Sequence, residues 1–187
     1  MVAELLAGHA RFRKELSDDE RSLMARLAAE GQRPAAVFIG CSDSRVIPEL
    51  LTGAAPGQLF VVRNIANHVP RPSDPDRSVG AAIEFAVGQL GVADIIVCGH
   101  DGCGGVKAVL GDGSELDPDA DLAGWLDGLR PAVERARAQS LGGDPQTLLA
   151  RAVEEHVVDC LTTLAARWPD PPDRDRAIRL HGWVYDP

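Results

Sequence analysis

Three short, unbroken apolar runs constrain this chain's fold most strongly: Ala35-Ala-Val-Phe-Ile39, Leu59-Phe-Val-Val62 and Ile95-Ile-Val-Cys98. Each has strand length and none alternates apolar with polar, the pattern of a strand buried on both faces of a parallel sheet. Segments at helical spacing separate them. Leu5, Leu6, His9, Phe12 and Leu16 predict an amphipathic N-terminal helix, and Ser17-Asp-Asp-Glu20 has the capping-box form that starts a second helix reaching about Glu30. Pro48 to Leu51 reads as a short helix, and Ser78 as the cap of a helix running to about Leu90, with Gly91 as its stop. A further helix is expected from Gly104, others over about 122–139 and 147–167, and a fourth strand over Ala177 to Tyr185. Pro70, Pro72 and Pro75 mark an irregular loop, and residues 111–121 an acidic one. Strands alternating with helices imply right-handed βαβ units, so the expected class is α/β, with a mainly parallel sheet of about four strands flanked by helices.

Composition matters mainly for what it excludes. The 187 residues carry 19 Lys and Arg against 28 Asp and Glu, a net charge of −9. Nucleic acid and anionic membranes reward clustered basic residues, so neither is an expected partner. No apolar run approaches the roughly 18 residues of a membrane span, and the N-terminus lacks the basic and apolar regions of a signal peptide. The expectation is a cytoplasmic protein, in which cysteines serve as metal ligands or apolar core rather than disulfides.

The chemistry-bearing residues gather after two of the strands. His100-Asp-Gly-Cys103 sets an imidazole and a thiol three positions apart on a Gly-rich turn, and Cys41 follows the first strand. In parallel sheets ligands bind beyond the carboxyl ends of strands, where both segments fall. Two thiolates and one imidazole suit zinc, and three protein ligands leave a fourth position open, as in catalytic sites. Read from spacing alone, metal ligation and burial of the cysteines as apolar residues stand at even odds. Cys98 and Cys160 read as core, Cys160 sharing a helical face with Val157, Leu161 and Leu164. His9, His68 and His156 show no ligand partner at readable spacing and read as surface or satisfied core histidines. Gly99 to Gly104 opens like a phosphate-binding loop, but Gly105 stands where lysine is required. Asp117, Asp119 and Asp121 open like a calcium loop, but Leu122 and Gly128 occupy its glycine and closing glutamate positions.

Cys41-Ser-Asp43-Ser-Arg45 adds a carboxylate and a guanidinium beside the first candidate ligand. Zinc with two thiolates is formally neutral, so its water is harder to ionise than in a three-histidine site. A carboxylate gripped by Arg can accept the remaining proton of a zinc-bound hydroxide and orient its lone pair.

Together these segments resemble the β-class carbonic anhydrases, as do Val62-Arg-Asn-Ile-Ala-Asn67, Ala81-Ala-Ile-Glu-Phe-Ala-Val87 and His181-Gly-Trp-Val-Tyr-Asp186. The likeness is dense over about 32–110 and resumes at 177–186. It implies one Zn2+ per chain on Cys41, His100 and Cys103, with Asp43 and Arg45 as the orienting dyad. The implied reaction is reversible hydration of carbon dioxide to bicarbonate and a proton by zinc-bound hydroxide. It also implies a homodimer or higher homo-oligomer, with the N-terminal helices extending onto a neighbouring subunit. The whole chain, 1–187, is then one domain: a helical arm over 1–32, the metal-site core over 35–110, and a helical region with the last strand over 111–187. Gln32 matches a polar pocket residue of the plant-type subset, and Phe60, Ile65 and Phe85 its apolar wall. Phe85 stands where that subset usually has Tyr, and Ile65 where it has Val; the chain stops at Pro187, where the family usually continues. In the other subset Asp43 leaves Arg45 and joins the metal in a closed, low-pH form. Hydrolysis of carbonyl sulfide or carbon disulfide on the same site is the first alternative, and a non-catalytic, zinc-stabilised bicarbonate-binding protein the second.

Overall fold

The computed structural model describes residues 1–74, 76–111, 117, 119–140, 144–168 and 177–186. Pro75, Pro187 and much of the acidic 111–121 loop therefore lie outside the described residues. The chain forms two compact units, Met1–Arg33 and Pro34–Pro187.

The first unit is a pair of helices, α1 (Val2–Glu15) and α2 (Asp18–Glu30). Between them the expected capping box forms: Ser17 Oγ accepts from the Glu20 amide at 3.2 Å, and Glu20 Oε2 accepts from the Ser17 amide at 2.8 Å. No residue of α2 is buried, and Leu5, Leu6 and Phe12 of α1 are exposed.

The second unit is a four-stranded, all-parallel sheet in the order β2-β1-β3-β4, with β1 over Ala36–Cys41, β2 over Leu59–Asn64, β3 over Asp94–His100 and β4 over Arg179–Tyr185. Among the described residues six helices join and cover it: α3 (Pro48–Thr52), α4 (Ser78–Gly88), α5 (Gly104–Leu110), α6 (Asp121–Asp127), α7 (Arg130–Gln139) and α8 (Pro145–Arg167). Side chains of β1 alternate between two cores. Phe38 packs with Val46, Val106 and Val133 on one face, while Val37 and Ile39 pack with Ile83, Val157 and Leu164 on the other. Both faces being covered explains the unbroken apolar runs. Among the described residues, no helix is long and apolar enough to cross a membrane.

Several details differ from the sequence reading. Leu59–Val62 belongs to an edge strand that is only half-buried, because among the described residues no strand pairs with its far side. Ser78 is the first residue of α4 rather than its cap: Asp76 Oδ1 accepts from both the Ser78 amide and its hydroxyl, each at 3.0 Å. The helix then ends at Gly88, ahead of the expected stop. The single helix expected over 122–139 is two, since Pro131 sits in the first turn of α7 and restarts the helix there. The long helix begins at Pro145, two residues early, because the Asp144 carboxylate caps the amides of Gln146 and Thr147.

The strand order places the candidate site. From β1 the chain moves to β2 on one side, then crosses to β3 on the other. The carboxyl ends of β1 and β3 thus flank a topological switch point, where parallel sheets open a crevice.

A candidate metal centre at the switch point

Cys41 is the last residue of β1, His100 the last of β3, and Cys103 immediately precedes α5. All three are buried, and one donor atom from each lies within 4.8 Å of the others. The turn from His100 to Cys103 needs Gly102 at φ +67°, a region open to glycine at no steric cost. Gly99, just before the turn, does different work. A Cβ at Gly99 would meet Val157 and Val153 at 2.8 and 2.9 Å, so Gly99 lets α8 lie close on β3.

The protonation of His100 follows from its partners. Its Nδ1 lies 2.9 Å from the Asp101 carbonyl, which can only accept, so Nδ1 carries the proton and donates. That leaves the Nε2 lone pair free, and Nε2 is buried without a hydrogen-bond partner. An outer hydrogen bond on one nitrogen with the other bare is the arrangement of a metal-ligating histidine.

The thiols behave as a coupled pair. Cys103 donates to Cys41 and pulls it down to about 4, with further help from the Asp43 amide, which donates to Cys41 Sγ at 3.5 Å. Cys103 is pushed up by that same contact and by burial, although the amides of Val106 and Gly105 oppose the shift. The first proton leaves the pair readily; the second is held until a cation replaces it. Two thiols, one becoming anionic at little cost, and a bare imidazole nitrogen suit a borderline-soft cation such as zinc.

Asp43 and Arg45 stand beside this cluster. Arg45 grips the carboxylate twice, Nε to Oδ1 and Nη2 to Oδ2, each at 3.0 Å, and its amide adds 2.9 Å to Oδ1. These bonds, the side-chain pair first, hold the Asp43 carboxyl well below the usual carboxylate range. Arg45 Nη2 also reaches the Gly102 carbonyl at 3.4 Å, tying the dyad to the His100–Cys103 turn. Asp43 is not one of the donors gathered with Cys41, His100 and Cys103.

Arg63, quoted in the sequence only as part of a motif, is a further structural member. Its Nε donates to the Cys41 carbonyl at 3.0 Å and its Nη2 to that of Asp43 at 2.7 Å, clamping the loop that carries both. Its position one residue from the end of β2, level with Gly40, gives it that reach. Of the proposed wall, the rings of Phe60 and Phe85 lie 6.0 Å apart, and Ile65 and Phe85 are 42% and 48% exposed. Gln32 is exposed at the end of the N-terminal unit.

A second cluster contradicts the sequence reading of His68 and His156 and joins them to Cys160, which lies in the core as expected. These are buried and, like the first set, bring one donor atom each within 4.8 Å of the others. The two histidines are not satisfied: Nδ1 of each is buried without a hydrogen bond, as is Asn67 Nδ2 beside them. Each such atom costs about 1–3 kcal/mol of desolvation. The readable signal was the four-residue spacing of His156 and Cys160, which puts both on one face of α8.

Known proteins share both the sequence and the fold. A family model described as carbonic anhydrase matches residues 36–187. A carbonic anhydrase of Pseudomonas aeruginosa is 39% identical over 99% of this chain and 83% of its own length. The structure of the β-carbonic anhydrase CcaA superposes with a TM-score of 0.86 at 32% identity, covering 99% of this chain and 90% of that one. One of two tetrameric β-carbonic anhydrases of Sordaria macrospora does so at 0.81 and 31%, covering 99% and 91%. On this evidence the chain belongs to the β-class carbonic anhydrase family of lyases.

Proposed function

We propose that this chain hydrates carbon dioxide reversibly to bicarbonate and a proton, with one zinc ion held by Cys41, His100 and Cys103. The observation that carries the reading is an ionised carboxylate, gripped at both oxygens by Arg45, standing next to a buried Cys2His donor set. Zinc bound there supplies Lewis acidity, which makes a water nucleophilic near neutral pH.

The chain's own residues supply the rest. Asp43 accepts a hydrogen bond from the attacking oxygen and so aims a lone pair at substrate. It can only accept, because Arg45 keeps it ionised. Arg45 fixes the carboxylate's direction through a planar fork, and Arg63 fixes the backbone beneath it. Phe60, Ile65 and Phe85 offer apolar surface suited to a small molecule without a net dipole. The proton released passes to buffer. With Asp43 held by Arg45 rather than among the donors, the geometry supports the plant-type arrangement, and joining the metal in a low-pH form would require breaking that grip.

The exposed apolar side chains of α1, together with Ile65 and Phe85, support a homodimer or larger homo-oligomer in which a second copy covers them. The four cysteines are free thiols, which supports a reducing, cytoplasmic setting.

Stopped-flow carbon dioxide hydration by zinc-loaded protein at about pH 8 and above tests the reading, because a two-thiolate zinc ionises its water less readily than the three-histidine site whose water titrates at about 7. Buffer-dependent turnover is expected. The uncatalysed rate alone, with zinc bound and the protein folded, would overturn it.

A further inference from the structure

Among the described residues, four buried side-chain polar atoms lack a hydrogen bond, and their distribution is informative. One is His100 Nε2, at the candidate zinc centre. The other three, Asn67 Nδ2, His68 Nδ1 and His156 Nδ1, crowd around the second cluster of nitrogen and sulfur donors. Two buried imidazoles, each with one unpaired nitrogen, stand beside a thiol, and one donor atom from each of the three residues lies within 4.8 Å of the others, as at the first centre.

We propose that His68, His156 and Cys160 form a second metal site, one that takes a thiophilic transition cation such as Zn2+. His68 follows a 3₁₀ turn over Ile65–Asn67, whose strained backbone has Ala66 and Asn67 at φ +61° and +49°. Asn64 holds the turn shut: its Oδ1 accepts from the His68 amide at 2.8 Å and its Nδ2 donates to the His68 carbonyl at 2.9 Å. The His68 ring stacks on His156 with centroids 5.4 Å apart, and Trp125 supports it edge-on at 5.2 Å. A methyl group at Gly128 would collide with the His68 ring, so glycine there leaves the imidazole its place. From α8, His156 Nε2 lies 3.6 Å from Cys160 Sγ.

Donor chemistry selects the ligand. Two imidazoles and a sulfur exclude calcium and magnesium, which require oxygen donors, and favour zinc or a comparable soft cation. Burial lowers both imidazoles toward their neutral form, in which a ring nitrogen can donate its lone pair. The Cys160 thiol keeps its proton in the metal-free protein. Binding therefore forms an Sγ–metal bond, breaks the S–H bond and releases that proton to solvent. His68 also lines a cavity of about 790 Å³, with Asp74, Asp76, Asp121 and Asp127 on its wall and, among the described residues, Arg71 as its one cation. Such a wall concentrates cations ahead of binding.

The experiment counts metal rather than turnover. Full-length protein would be equilibrated with excess ZnCl2, freed of unbound metal by gel filtration and measured for zinc per chain by mass spectrometry. Two equivalents are expected in the wild type, and one each in His156→Gln and Cys160→Ser, the latter nearly isosteric in case the former fails to fold. Cys41→Ser separates this site from the catalytic one: it too should keep one equivalent, now at the second cluster. One equivalent in the wild type with none in Cys41→Ser would overturn the second site while leaving the catalytic reading intact. Two equivalents persisting in both His156→Gln and Cys160→Ser would also overturn it.

Discussion

The two buried clusters are near-copies in composition and opposites in setting. Each joins cysteine and histidine side chains whose donor atoms lie within 4.8 Å of one another. The first sits at the carboxyl ends of β1 and β3, where a carboxylate gripped by Arg45 stands beside it. The second sits between a strained turn and α8. The two carboxylates adjacent to it in sequence are committed to arginines: Glu155 to Arg135 at 3.2 Å and Arg151 at 3.0 Å, and Asp159 to Arg135 at 2.8 Å and Arg71 at 3.5 Å. On the proposed reading, donor atoms alone make a place for a cation, and the oriented, ionised carboxylate makes a place for chemistry on water.

That contrast can be broken in steps of decreasing size. Cys103→Ser removes a donor from the first cluster, and carbon dioxide hydration should fall by more than about 100-fold, the upper end of what losing an outer-shell partner costs. Zinc analysis on the same sample should show the catalytic equivalent gone. His156→Gln cuts the second cluster and should leave turnover close to wild type in the same stopped-flow assay. A large loss there, in folded protein, would mean that the two clusters are coupled.

The smallest effect is expected from Asp94→Asn. Asp94 is also gripped by Arg179, with His181 Nε2 at 2.9 Å, but at the start of β3, away from both clusters. Turnover and metal content should not change. The Arg179 contact, then His181, depresses the Asp94 pKa in the folded state. The unfolded chain thus takes up the proton first as pH falls, and the stability from this contact is full above about pH 4 and lost below it. Thermal melts should show Asp94→Asn slightly less stable than wild type at neutral pH, with the gap closing in acid.

The sheet was legible because parallel strands buried on both faces leave unbroken apolar runs, as Val37–Ile39 and Ile95–Val97 do. What escaped were boundaries decided by single polar contacts, such as Asp76 capturing Ser78 or Asp144 starting α8 early. The spacing of His100 and Cys103 and the strand-end position of Cys41 pointed to the crevice before any coordinates. The second cluster escaped because its members come from a turn and a helix 88 residues apart in sequence, which no local motif joins. Its one local trace, His156 and Cys160 on a common helical face, also fits ordinary core packing. Arg63 was hidden differently: its role is to two backbone carbonyls, and contacts of that kind leave no pattern in side-chain identity.

The central claim is that the carboxylate at Asp43 turns a cation site into a catalytic one, and Asp43→Asn tests it most directly. The amide keeps the size of the side chain but can donate a hydrogen where the carboxylate could only accept. Measured by stopped flow on zinc-loaded protein, the variant should hold the same zinc as wild type and lose about 10²–10⁴-fold in turnover, the usual worth of a positioned proton-handling group. Turnover within a few-fold of wild type, at equal zinc content, would contradict the account.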